Sequence, residues 1–136
     1  MKMFIGGQWA GGAEQIQVVN PYNNEVIDTV PKATAGDVEA ALSGAVEGAR
    51  TMRAMPGYER FRILRRAAEL MYERAADLGR TISTEEGKIL AEGVFEVNRA
   101  AETIEISAEE AKRLGGEVLP LDGARGGGGR LGFTLR

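Results

Sequence analysis

The 136-residue chain contains no cysteine and no histidine. Together these absences remove a thiol nucleophile, a disulfide framework, a Cys/His zinc site and the usual imidazole base. The lack of cysteine is compatible with a reducing compartment. No apolar run approaches the length needed to cross a bilayer. The opening Met1-Lys2-Met3-Phe4-Ile5 meets Gly6-Gly7 too early to form the apolar stretch of a secretory signal, so the expected location is the cytoplasm. An excess of positive charge is missing as well. The formal net charge is −3 and the pI about 5.1, which speaks against nucleic acid or an anionic membrane as partner.

What is present has the balance of a soluble globular protein, 43% hydrophobic and 27% charged. The length suffices for one domain with a core and is too short for two. The chain is organised around a helix expected from Leu90 to Leu114, roughly 37 Å long at 1.5 Å per residue. Its apolar positions Leu90, Val94, Val97, Ala101, Ile104, Ala108 and Ala111 follow a 4-3-4-3 alternation. Glu92, Glu96, Glu102, Glu105 and Glu109 cover the other side. Lys112 and Arg113 suit the negative end of the helix dipole, and Gly115-Gly116 is a stop signal. Such a stripe could join two copies as a coiled coil. The glycines at 79, 87 and 93 favour packing against the chain's own helices at 37–80 instead.

Residues 1–34 read as β structure. Gly6-Gly7 reverses Met3-Phe4-Ile5 into Gln8-Trp9, and Gly11-Gly12 marks a second turn. Ile16-Gln17-Val18-Val19 and Glu25 to Val30 are short β-branched runs joined by Asn20-Pro21-Tyr22-Asn23-Asn24, where asparagine tolerates positive φ. This hairpin region covers one edge of a helical core, with a ligand site in its turns as the alternative. Thr34 and Asp37 form a capping-box start, and Val38, Ala41, Leu42, Ala45, Val46, Ala49 and Met52 make one apolar face. After Pro56-Gly57 a second helix is expected from Tyr58, with Phe61, Leu64, Ala68, Met71, Ala75 and Leu78 on one side and Gly79 ending or weakening it. Ile82 to Glu86 stays helical and closes at Gly87. Residues 116–129, with Pro120 and Gly126 to Gly129, read as glycine-rich loop or flexible linker. Residues 130–136 alternate as a strand whose open edge needs a partner: another subunit, residues 16–30, or chain beyond Arg136.

Several chemical motifs fail on inspection. Glu86-Gly87-Lys88-Ile89 has Ile82 where a P-loop needs glycine and Ile89 where it needs Ser or Thr. The four-glycine run lacks the strand before and helix after that a dinucleotide turn requires. Arg60, Arg62, Arg65 and Arg66 could hold a phosphate, but interspersed Glu59, Glu69 and Glu73 point to an ion-paired face. The carboxylates of the long helix serve solubility and i,i+4 pairing rather than acid–base work.

Phe4-Ile5-Gly6-Gly7-Gln8-Trp9 and Val19-Asn20-Pro21 through Val26-Ile27 resemble the opening of the NAD(P)-dependent aldehyde dehydrogenase superfamily, with its I-G-G-x-W strand and N-P-x-x-x-x-V-I hairpin. Glu59-Arg60 with Leu64 and Ala68-Glu69-Leu70 is similar to that family's R-x-x-x-L-x-x-x-A helix. Glu85-Glu86-Gly87-Lys88 matches its E-x-G-K turn; Glu96-Val97, Ala111 and Gly115 fit the helix that follows. Gly129-Arg130 onward is similar to the strand before its E-P-V-G-V segment. Six motifs in order span the whole chain.

The resemblance implies an α/β aldehyde dehydrogenase-like fold for the complete enzyme. This chain would be an incomplete N-terminal part of the coenzyme-binding domain over 1–136, itself mainly α-helical. Its parts are an N-terminal β hairpin (1–34), helices (35–115), a glycine-rich loop (116–129) and a C-terminal bridging strand (130–136). The complete enzyme would oxidise an aldehyde to a carboxylic acid through a thiohemiacetal and a thioester, passing hydride to NAD or NADP. The family's nucleophilic Cys, general-base Glu, cofactor Lys and glycine-rich cofactor turn lie downstream, so no catalytic, cofactor-binding or metal residue is carried onto this chain. No cofactor is expected for it alone, and it is expected to be inactive. Leu131, Phe133 and Leu135 are the expected interface residues, with the remainder of the dehydrogenase or another subunit, in a homo-oligomer, as partner. Pro120-Leu121-Asp122 and Phe133-Thr134-Leu135-Arg136 hint at lactaldehyde, phosphonoacetaldehyde or succinate-semialdehyde branches without fixing a substrate. The competing class is a stand-alone helical oligomerisation or regulatory protein.

Overall fold

Two left-handed glycines begin the architecture. Gly6 (φ 57°) and Gly7 (φ 82°) return β1 (Met3–Ile5) as the antiparallel β2 (Gln8–Ala10), because paired positive φ angles match the twist of a two-residue hairpin. In this computed structural model residues 1–135 are described; Arg136, the last position of the expected terminal strand, lies outside them. A second hairpin joins β3 (Gln15–Val19) to β4 (Val26–Pro31), in register from Gln15↔Pro31 to Val19↔Val26 with a bulge at Val18/Val19. Its turn uses asparagine as the sequence predicts. Asn24 adopts φ 60°, its N–H donating to Asn20 O at 2.8 Å, and Tyr22 N–H donates to Asn20 Oδ1 at 2.9 Å. Residues 1–34 therefore hold two separate two-stranded hairpins where one was expected.

Four helices follow: α1 (Ala35–Ala54), α2 (Gly57–Glu73), α3 (Ala75–Glu86) and α4 (Leu90–Ala111). The capping box forms. Thr34 Oγ1 accepts from Asp37 N–H at 3.2 Å, and Thr34 N–H donates to Asp37 Oδ2 at 2.8 Å. Arg60 secures the end of α1 by donating from Nη1 to Met55 O at 2.6 Å and Met52 O at 3.3 Å.

The break expected near Gly79 lies at Arg74 instead. There φ −110° and ψ 15° interrupt the helix, while the Arg74 N–H still reaches Leu70 O and Met71 O. Gly79 is buried within α3 because it meets α4 backbone to backbone. A Cβ on Gly79 would fall 2.7 Å from Val94 N, and one on Gly93 would fall 2.4 Å from Gly79 O. Glycine here permits close approach rather than ending a helix.

α4 packs against α3 along its first half and α2 along its second, so its stripe faces the chain's own helices rather than forming a coiled-coil seam. Val97, Ala101, Ala108 and Ala111 of the stripe are buried with Ala68 of α2. Val94 and Ile104 are partly buried, and Leu90, at the first turn, is exposed. The helix stops at Ala111, short of Leu114, as Lys112 N–H and Arg113 N–H turn to Glu109 O and Glu110 O three residues back. Such i→i−3 bonds tighten a last turn and close it.

The tail is more structured than a linker. β5 (Val118–Leu119) pairs antiparallel with β6 (Gly132–Phe133), and Thr134 N–H donates to Glu117 O at 2.9 Å. Thus the terminal strand pairs with a stretch expected as loop, not with residues 16–30. Between them a 3-10 turn (Leu121–Gly123) is followed by further turns, with Gly127 N–H donating to Ala124 O and Arg130 N–H to Gly127 O. Gly127 is buried against the Leu121 carbonyl, so the four-glycine run forms turns instead of a flexible linker.

Candidate assembly surface

The charged residues that could have built a site mostly satisfy one another. Arg62 pairs with Glu59 at 3.2 Å, Arg65 with Glu69 at 3.4 Å and Glu105 at 3.2 Å, and Arg66 with Glu69 at 3.2 Å and Glu73 at 3.0 Å. With Arg60 on the α1 carbonyls, each guanidinium of the basic run already has an acceptor. The face is an ion-paired helix surface, not a phosphate cradle. On α4, Glu96, Glu105 and Glu109 are held by Lys88, Arg65 and Lys112. Hydrogen bonds from Lys88 and Lys112 depress the Glu96 and Glu109 carboxyls below the usual range, which suits fixed anions rather than general acids.

The Glu85-Glu86-Gly87-Lys88 turn is a clasp. Gly87, at φ 72°, closes α3 with its N–H on Ser83 O at 2.9 Å, and Ser83 Oγ donates to Lys88 O at 2.6 Å. Lys88 Nζ lies 2.6 Å from both Glu86 and Glu96, whose hydrogen bonds raise its pKa. Pro21 of the β3–β4 turn covers Gly87, its Cγ 3.0 Å from where a Cβ would stand. A shallow cleft lined by Asn20, Tyr22, Ser83 and Lys88 remains beside it. No local pattern announces this clasp, because Lys88 and Glu96 are eight residues apart and lie across a turn.

The most extended uncovered face on α1 is apolar. None of α1 is buried, and Val38, Leu42, Val46 and Met52 project from it largely exposed. Met52 also lines a groove of about 360 Å³ with Ile63, Leu64, Ile106 and Leu114, from α2, α4 and the chain after α4. Periodicity marks the α1 face in the sequence, the groove is not legible there, and the expected interface residues are Leu131, Phe133 and Leu135. Those three stand exposed, with Phe133 in β6 opposite Val118 and the two leucines flanking the strand. They sit at the C-terminal hairpin, apart from the α1 stripe in the sequence.

Neither the glycine run nor the start of α1 fits the phosphates of a dinucleotide. The glycine run lies between two short strands rather than ahead of a helix, and the Gly127 N–H is already given to Ala124 O. The N-terminus of α1 is closed by its own acidic Asp37. Among the described residues no helix is long and apolar enough to cross a membrane.

Residues 9–135 match the aldehyde dehydrogenase family. The 3-sulfolactaldehyde dehydrogenase of Priestia megaterium is 36% identical over 134 residues, covering 98% of this chain and 28% of that protein. The NADP(+) succinate-semialdehyde dehydrogenase of Escherichia coli is 41% identical over 118 residues, 85% of this chain and 24% of its own length. Among solved structures, aldehyde dehydrogenase 21 of Physcomitrella patens, in complex with the reaction product succinate, superposes with a TM-score of 0.90 at 32% identity. That superposition covers 97% of this chain and 28% of the plant enzyme. The chain thus spans about a quarter of the length of these relatives, and it matches an N-terminal segment of them. Its hairpins and helices superpose on about a quarter of a larger fold, and the chain belongs to the aldehyde dehydrogenase family.

Proposed function

We propose that this chain is the structural N-terminal portion of an NAD(P)-dependent aldehyde dehydrogenase that oxidises an aldehyde to a carboxylic acid in the cytoplasm. In this reading the segment supports the coenzyme-binding sheet and the oligomer interface while the reacting groups are supplied elsewhere. The observation that carries it is α1: a 20-residue helix with a continuous apolar stripe and no buried residue. A helix of that kind owes its stability to cover from other elements. Supporting the reading, the chain contains no cysteine for a thioester, and its glycine run and α1 N-terminus do not fit a dinucleotide's phosphates. Leu131, Phe133 and Leu135 are proposed to continue the contact between subunits of a homo-oligomer.

The relatives' names carry aldehydes with an anionic group, 3-sulfolactaldehyde and succinate semialdehyde. We take that class as the proposed substrate of the complete enzyme, and the coenzyme of the Escherichia coli relative, NADP, as one of the two candidates with NAD. The test has two arms. The chain alone, mixed with NAD or NADP and succinate semialdehyde, is expected to produce no reduced coenzyme; turnover would overturn the reading. Substituted for the matching segment of the Escherichia coli enzyme, it is expected to restore activity that deletion of that segment abolishes.

A further inference from the structure

The segment between β5 and β6 holds the chain's single Asp-Gly pair, Asp122-Gly123, and the sequence has no Asn-Gly pair. The 3-10 turn that contains it is closed by Ala124 N–H on Leu121 O at 3.2 Å, and single turns of this kind have poor hydrogen-bond geometry. Asp122 and Gly123 are exposed. Among the described residues the Asp122 carboxylate has no hydrogen-bond or ion-pair partner, and the Gly123 N–H reaches no acceptor. A side chain on Gly123 would meet nothing within 4 Å. The Gly123 nitrogen, with no Cβ beside it, is open to the carboxyl group one residue back.

The other three aspartates and the four asparagines are placed differently. The N–H that follows Asp37 donates to Thr34 O at 3.1 Å, and the one that follows Asp77 donates to Arg74 O at 3.0 Å. Asp28 precedes β-branched Thr29 within β4, and its carboxylate accepts from the Met1 amino group at 3.2 Å. Asn20 precedes Pro21, which has no N–H. After Asn23, the Asn24 N–H goes to Asn20 O at 2.8 Å; after Asn24, the Glu25 N–H goes to Asn23 Oδ1 at 3.1 Å. Asn98 lies within α4. Among the described residues, a free carboxylate and a free, uncrowded amide stand side by side at Asp122 alone.

We propose that Asp122 is a site of spontaneous backbone isomerisation. The carboxylate takes a proton from solvent, the Gly123 nitrogen attacks Asp122 Cγ, and a C–N bond forms. The amide hydrogen and the carboxyl OH depart as water, leaving a five-membered succinimide. Water then adds at the α-carbonyl and breaks its bond to the Gly123 nitrogen, so the chain continues through Cβ and Cγ as isoaspartate. No oxidant, reductant or cofactor is consumed. The main chain gains one carbon between strands that pair over two residues each. The inference goes beyond the scaffold reading and does not rest on it.

The test keeps the 136-residue chain in warm neutral buffer for several weeks, then digests it. Electron-transfer mass spectrometry of the peptides separates isoaspartate from aspartate at equal mass. Isoaspartate is expected at position 122 and at none of the other aspartates or asparagines. Methyl transfer from S-adenosylmethionine by a purified isoaspartate methyltransferase should label the same peptide. Asp122→Glu would need a six-membered ring, and the side chain of Gly123→Val has room in the fold but crowds the nitrogen. Each should lose most of the label with helical circular dichroism unchanged. The Thr134 N–H, which donates to Glu117 O across the hairpin, should exchange faster in the aged chain. A synthetic peptide of residues 118–127 gives the rate without the fold, and the folded chain is expected to match it. Label confined to the peptide, label spread evenly over the aspartates, or label that survives Gly123→Val would overturn the proposal.

Discussion

The bundle of α2, α3 and α4 and the lone helix α1 use apolar residues in opposite ways. Inside the bundle the buried apolar side chains are Ala68, Ala101, Ala108, Ala111 and one Val97, with Gly79 touching Gly93. On α1 the larger Val38, Leu42, Val46 and Met52 face outward. Small residues bring backbones together where the chain completes its own contact; bulky ones mark where contact is still owed. Apolar character alone does not locate a core. Volume, set against the distance between elements, does.

Filling the bundle should produce the largest effect. Ala101→Leu places three extra carbons where the side chain is fully buried and is expected to cost about 3 kcal/mol, read by urea unfolding. Gly93→Ala pushes a methyl against the Gly79 carbonyl and should cost about 2 kcal/mol in the same assay. Thr34→Ala removes the α1 cap and should cost about 1 kcal/mol. Because α1 is scarcely coupled to the bundle, that loss should appear as faster amide exchange within α1 while α4 stays protected.

The clasp at Lys88 gives a pH signature. Glu96 is held below the ordinary 4.5 by its Lys88 hydrogen bond. The stabilisation is present above that value and is lost as pH falls through the folded pKa. Lys88→Met should therefore flatten the dependence of the urea midpoint on pH below about 4.5. The smallest effect belongs to α1's own stripe. Leu42→Ala, measured at a dilution where the chain is monomeric, should change stability by no more than about 0.5 kcal/mol. A loss of about 2–5 kcal/mol, the cost of such a change in a packed core, would break the contrast between the two regions.

Local chemistry made much of the fold legible beforehand. The Thr34–Asp37 box, the Gly6-Gly7 reversal and the positive φ of Asn24 are settled within a few residues of chain. The buried Val97, Ala101, Ala108 and Ala111 of α4 follow from periodicity, and the family from six short motifs in order. What escaped depends on neighbours distant in sequence. Gly79 looks like a stop signal until Gly93 is placed against it, and Arg74 carries no mark of a break. The β5–β6 pair is only two residues on each side, too short for alternation to declare itself. Leu131, Phe133 and Leu135 read as an interface because a strand edge is visible in sequence, and the apolar face of α1 is visible in its periodicity. That α1's stripe goes uncovered is a property of the packing.

The alanine seam between α2 and α4 has a calorimetric consequence. Methyl groups expose little apolar area to water on melting, so this two-helix contact contributes a small heat capacity increment. Its endotherm should be low and broad, and the chain should respond gently to temperature until larger side chains find something to lie against.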